Sequence, residues 1–166
     1  NQLGDEGKGW EVAMATAGFE RGLMLRSPAR FQDTARKLVN LYKKTVASGA
    51  FVAPELRRTV AQCWMDAEAY TLNTYQTVSR LMAGGKIGAE ASLNKIFWSE
   101  LDTKMHETAL KLLGYRAELL PGSSEAGDVG EWLEGYIFAL AGPIYAGTNE
   151  IQRNIIAERI LGMPRK

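Results

Sequence analysis

One feature constrains this fold above all others. Apolar residues recur at helical spacing in long runs, with Pro28 and Pro54 between them and Gly162-Met163-Pro164 as the stop. From about Pro54 to Met82, the residues Leu56, Val60, Trp64, Ala67, Tyr75, Val78 and Met82 set a single stripe along a helix. From about Ala89 to Leu113, Leu93, Ile96, Phe97, Leu101, Met105, Ala109 and Leu112 repeat it. The same reading predicts helices over about Trp10–Arg26, Ala29–Ala47 and Val129–Ala141. Pro54 sits where a first-turn proline belongs, and Gly114–Gly127 reads as a loop. No strand-period segment, internal repeat or low-complexity tract interrupts the pattern. Long helices joined by short loops predict an all-α fold, an antiparallel helical bundle of four main helices with accessory ones.

The bulk properties exclude several function classes. At 166 residues the chain is one domain's worth. A net charge of +1, with both signs interspersed, argues against a dedicated nucleic-acid surface. No apolar run is long enough for a membrane span. Cys63 is the only cysteine, so no internal disulfide can form, and beside Trp64 it reads as a core residue. One His and one Cys cannot build a metal site, and His106 reads as packed or capping. Lys43-Lys44 and Arg57-Arg58 read as solvated faces. Ser123-Ser124 has no base beside it, and Gly84-Gly85-Lys86 lacks P-loop spacing. Residues 1–9 read as the tail of a preceding β-domain, with 10–166 as the helical bundle. Any targeting segment then lies upstream. A bacterial-type cytoplasmic protein is the expectation, with the mitochondrial matrix left open.

Functional information concentrates at the C-terminus. Tyr145-Ala146-Gly147-Thr148-Asn149-Glu150 runs into a helix that stops at Gly162-Met163-Pro164. Small residues let another molecule approach the backbone. Thr148 or Asn149 serves as N-cap, and the free N–H groups of a helix start suit an anionic or carbonyl ligand.

This segment closely resembles the C-terminal signature of acyl-CoA dehydrogenases. So do Gly7-Lys8-Gly9-Trp10 with Phe19-Glu20-Arg21, and Glu90-Ala91-Ser92-Leu93-Asn94-Lys95. The resemblance implies the C-terminal helical domain of an FAD-dependent flavoprotein that oxidises acyl-CoA thioesters in lipid metabolism and β-oxidation. A carboxylate takes the α-proton, and the β-hydride goes to flavin N5. An electron-transfer flavoprotein is the implied acceptor. Many members carry the base in the terminal loop, where this chain has Ala146. Isovaleryl- and long-chain-type members carry it on the first helix before an Arg, which Glu20-Arg21 matches. The helical neighbours of Glu20 are Thr16, Ala17, Leu23 and Met24, and none is basic. Such surroundings suit a base whose pKa is raised by desolvation. The bland alternatives are a solvated Glu20 and an ordinary surface Arg21. By the resemblance, Arg21, Tyr145, Ala146 and Gly147 face substrate. The Ala146 N–H donates to the thioester carbonyl, which an alanine does as well as a glutamate. Thr148, Asn149 and Glu150 match FAD-contacting positions.

Two family features that reach a neighbouring subunit's FAD are missing. The second helix keeps Arg30 and Phe31 but has no Phe-Gly pair. Where Gln-x-x-Gly-Gly is expected, the chain reads Lys111-Leu112-Leu113-Gly114-Tyr115. Features serving the chain's own site are kept, and those serving a partner's are lost. The expectation is therefore an α2β2-type assembly with a homologous acyl-CoA dehydrogenase subunit. Two alternatives stand beside it, a non-catalytic structural subunit and an acyl-CoA oxidase. Glu20 on the first helix and the small Ala146 suggest room for a branched or bulky acyl chain.

Overall fold

The computed structural model describes residues 2–23, 27–85, 88–124 and 129–165, with the backbone alone described at 17–23. Six α-helices follow in order: α1 (Gly9–Leu23), α2 (Pro28–Ala47), α3 (Pro54–Met82), α4 (Ala91–Leu113), α5 (Gly130–Ala139) and α6 (Asn149–Arg159). No strand occurs among the described residues, so the all-α expectation holds. The loop expected after Leu113 begins instead with a short 3-10 helix, Gly114–Glu118. Pro28 and Pro54 open α2 and α3 in the first turn, where a missing N–H costs nothing.

Helix α4 is the centre of the molecule. It packs against α2 and α3 on one side and α5 and α6 on another, and α1 also touches it. The core joins Phe31, Ala35 and Leu38 of α2 to Val60, Cys63, Ala67 and Tyr70 of α3. From α4 it takes Trp98, Leu101, Met105, Ala109 and Leu112. Phe31 meets the edge of Tyr70 at 5.1 Å between ring centroids and lies 6.3 Å from Trp98.

The predicted α3 stripe is corrected. Val60 and Ala67 are buried, but Trp64, Tyr75, Val78 and Met82 are exposed. The inward face is Val60-Cys63-Ala67-Tyr70-Thr74-Thr77. Its second half is threonine, a residue that apolar periodicity does not register. Thr71 Oγ1 donates to the Ala67 carbonyl at 2.9 Å, and Thr77 Oγ1 to that of Asn73 at 3.0 Å. Back-bonding of this kind lets a hydroxyl enter a core. On α4, Leu101, Met105, Ala109 and Leu112 are buried as expected, whereas Leu93 and Phe97 are exposed and Trp98 is buried in their place.

Arg30 and Phe31 are committed within the chain. Phe31 is fully buried, and Arg30 Nη2 donates to Asp102 Oδ2 at 2.8 Å. His106 is packed as expected. Its Nδ1 lies 2.8 Å from the Asp102 carbonyl, and its ring meets Trp132 edge-on.

Cys63 lies at the centre of the core, and burial pushes its thiol up to about 11 from 9.0. At pH 8 its thiolate fraction is then about 100-fold below that of a free thiol, so alkylation slows at least about 100-fold. Peptide mapping after iodoacetamide labelling checks this, and rapid native labelling would contradict the placement. The fold favours the neutral thiol, so its contribution to stability is present below pH 9 and lost as pH rises through about 11.

Candidate functional site

The candidate site is the turn between α5 and α6. After α5, the Tyr145 N–H donates to the Ala141 carbonyl at 3.1 Å. The Tyr145 ring lies against Trp98, 5.9 Å between centroids. The chain then reverses through Ala146 at φ 55° and Gly147 at φ 83°. Ala146 is the one non-glycine at positive φ among the described residues. That conformation is costly for an L-residue and persists only where surroundings hold it. Glycine suits position 147 twice over: its φ is left-handed, and a Cβ there would stand 2.6 Å from Gln152 Nε2 and push that amide off the turn. The turn closes with the Asn149 N–H donating to the Pro143 carbonyl at 2.9 Å.

Helix α6 starts as expected, with Thr148 as N-cap. The Ile151 N–H donates to Thr148 Oγ1 at 3.4 Å. Glu150 is exposed in the first turn, its carboxyl held low by its own backbone N–H and the Thr148 hydroxyl. The helix ends before Gly162, with the Met163 N–H returning to the Ala157 carbonyl.

Asn149 and Gln152 are buried and point into the protein. Asn149 Oδ1 accepts from Lys95 Nζ at 2.7 Å and from Ser99 Oγ at 3.3 Å. Its Nδ2 donates to Glu100 Oε1 at 3.3 Å, and Glu100 also pairs with Arg153. Burial pushes the Lys95 amine down. Gln152 Oε1 accepts from Ser92 Oγ at 2.8 Å, and its Nε2 donates to the carbonyls of Ala146 at 3.0 Å and Gly147 at 3.2 Å. The Asn149 side chain is thus used inward, and its N–H is spent on the Pro143 carbonyl.

The N–H groups of Ala146, Gly147 and Thr148 meet no acceptor among the described residues. Both peptides that follow Ala146 and Gly147 are trans, so each N–H points opposite to the carbonyl of its own peptide. Since those carbonyls face Gln152, the Gly147 and Thr148 N–H groups face away from the body. Chemically, the turn offers main-chain donors to a carbonyl, hydroxyl or anionic group. Those donors and the exposed backbone at Gly147 leave one edge of the turn open to such a group.

The structure brings Tyr145, Ala146, Gly147, Thr148, Asn149 and Glu150 together in that turn. Glu20 and Arg21 lie in the last turn of α1, and their side chains fall outside the described residues, as does Met24. The sequence reading missed Gln152, Ser99 and the inward role of Asn149. A signal for them exists: Ser92, Lys95, Ser99, Asp102 and His106 recur at helical spacing on α4. A polar row on an otherwise buried helix marks a docking seam.

Known proteins share this architecture. Residues 7–161 match the family model for the acyl-CoA dehydrogenase C-terminal domain. Acyl-CoA dehydrogenase IpdE1 of Mycolicibacterium smegmatis is 36% identical over 165 residues, covering 99% of this chain and 39% of that protein. Acyl-CoA dehydrogenase FadE26 of Mycobacterium tuberculosis is 29% identical, covering 99% of this chain and 42% of that protein. Among solved structures, the ChsE4-ChsE5 complex from Mycobacterium tuberculosis matches with a TM-score of 0.81 at 29% identity, over 100% of this chain and 43% of that one. A variant of the Tcur3481-Tcur3483 steroid ACAD shares the fold, with a TM-score of 0.78 at 22% identity over 95% of this chain and 40% of that one. The chain spans about two fifths of the curated relatives it matches.

Proposed function

The chain belongs to the acyl-CoA dehydrogenase family, as its C-terminal helical domain, and on that premise we propose that its parent protein dehydrogenates an acyl-CoA thioester within a heteromer. Residues 1–9 are then the tail of the preceding β-domain. Glu20 takes the α-proton, Arg21 positions substrate, and the turn at Tyr145-Ala146-Gly147 faces the thioester. FAD, when bound, accepts the β-hydride, and Thr148, Glu150 and the Asn149 backbone flank it. An electron-transfer flavoprotein of the same compartment takes the electrons onward. The relatives are mycobacterial, which supports a bacterial cytoplasmic setting and lends nothing to a mitochondrial one.

The observation that carries this reading is the turn itself. Its left-handed Ala146 and its N–H groups, which meet no acceptor among the described residues, are suited to stabilising charge that develops on a thioester oxygen as the α-proton leaves. Those donors are main-chain, so the alanine does not weaken them. The heteromer is supported by Arg30 and Phe31, which are consumed inside the chain, and by Tyr115, fully out in solvent where close approach to a partner's cofactor calls for glycine. The relative described as a complex of two chains, ChsE4-ChsE5, is a precedent for such assembly. The small Ala146 side chain supports a branched or bulky acyl group.

The test is flavin content and acyl-CoA-dependent flavin bleaching of the full-length parent, alone and co-expressed with its nearest homologous subunit. The thioesters are butyryl-, isovaleryl- and cyclohexylacetyl-CoA. Flavin and bleaching are expected only with the partner, and fastest with the two bulkier thioesters. Full flavin occupancy of every site in a pure homo-oligomer would sink the heteromer. The absence of a loop carboxylate at Ala146 favours a second reading, a structural subunit supporting a catalytic partner. Bleaching that depends on the partner's residues alone would select it.

A further inference from the structure

We propose that Gln152 is a positioning residue that clamps the Ala146-Gly147 turn so that its N–H groups face the reacting thioester. The proposal rests on the dehydrogenase reading above and adds a residue to its machinery.

The geometry is specific. Gln152 is fully buried, one turn into α6, and its amide spans two elements. One end meets Ser92 Oγ on α4, and the other meets two successive turn carbonyls. The amide orientation is dictated by chemistry. Carbonyls only accept, so Nε2 must face them. The Ser92 hydroxyl can donate, so it takes Oε1. Both Nε2 hydrogens are used, one on each carbonyl.

Those two bonds set the shape of the turn. They hold Ala146 in a conformation that L-residues avoid, at φ 55°. They also fix the peptide planes on either side of Gly147, which turns the Gly147 and Thr148 N–H groups outward and sets the backbone that bears the Ala146 N–H. A Cβ at Gly147 would stand 2.6 Å from Gln152 Nε2 and displace the clamp. Ser92 ties the clamp to α4, the helix that Asn149 also grips through Lys95 and Ser99. A turn held at two points loses little entropy when a ligand arrives, and a donor displaced by a fraction of an ångström loses most of its effect.

The test is Gln152→Glu in the full-length parent with its partner. The carboxylate keeps the shape and the acceptor for Ser92 but has no donor for the carbonyls. Single-turnover bleaching is measured with butyryl-, isovaleryl- and cyclohexylacetyl-CoA across pH, with hydrogen exchange of the Asn149 amide alongside. The saturating rate is expected to fall about 10- to 100-fold while the half-saturating concentration moves less than about threefold. The variant-to-wild-type ratio should recover as pH falls, because protonation of the introduced carboxylate restores one donor. Exchange at Asn149 should accelerate at least about tenfold.

An unchanged rate with unchanged exchange overturns the proposal. So does a loss matched by an equal rise in half-saturating concentration with no recovery in acid, which assigns Gln152 to packing alone. If Gln152→Glu does not fold, Ser92→Ala removes only the anchor, and a smaller loss in the same direction is required. If the wild-type assembly bleaches with none of the thioesters, the dehydrogenase reading fails, and exchange at Asn149 decides the clamp by itself.

Discussion

Glu20→Gln in the full-length parent, assembled with its partner, is expected to keep its flavin and slow acyl-CoA-dependent bleaching by about 10²–10⁴-fold. The amide is close to isosteric with the carboxylate, so packing around α1 is preserved, but it cannot take a proton. Ala146 carries only a methyl group at the position where the family resemblance puts the base in many members, so that position cannot substitute. The local sequence gives Glu20 no cation at helical spacing, and Thr16 spends its hydroxyl on the Val12 carbonyl at 3.2 Å rather than on a neighbour. Binding should be little affected, so the loss belongs in the saturating rate. Bleaching within about threefold of wild type would place the base elsewhere, with the partner subunit as the first place to look.

The proposed proton acceptor and the main-chain donors lie at different ends of this chain, and only the second could be read from local sequence. The terminal turn could be read from the sequence because its demands are local. Gly147, a capping Thr148 and a glycine-proline stop each follow from backbone geometry within a few residues. Helix positions were equally legible, down to Pro54 opening α3. Helix rotation was less so. On α3 the inward face continues through Thr74 and Thr77, so an apolar count selects the wrong stripe and promotes Tyr75 and Met82 to a core they do not enter. The partners of the turn were illegible for another reason. Gln152 meets Ser92 across a separation of 60 residues, and Asn149 meets Lys95 across 54. No local rule couples residues so far apart. Only the polar row on α4 hints that something docks there.

The Arg30–Asp102 pair belongs to the same class of long-range surprises. Asp102 is buried, and Arg30, itself one-third exposed, reaches it from α2. With Phe31 beside it, this stretch fastens α2 to α4. Arg30 and Phe31 each hold α2 onto α4, whatever else the stretch contacts.

Phe31→Ala is expected to destabilise the bundle by about 3–5 kcal/mol, the range for emptying a fully buried aromatic site. The ring touches both neighbours of α2, through Tyr70 on α3 and Trp98 on α4. Those aromatic pairs add to the burial term, and Tyr70 and Trp98 are held on their other sides by Phe97 and Tyr145. Trp98 also backs Tyr145, so the cavity lies one residue removed from the terminal turn. Native-state hydrogen exchange of the parent protein checks the prediction. The most protected amides of α3 and α4 should lose about 3–5 kcal/mol together, with flavin retained wherever the fold survives. A change below about 1 kcal/mol would deny Phe31 its place in the core. Flavin lost from the partner's sites, with exchange in α3 and α4 unchanged, would return Phe31 to a cofactor role.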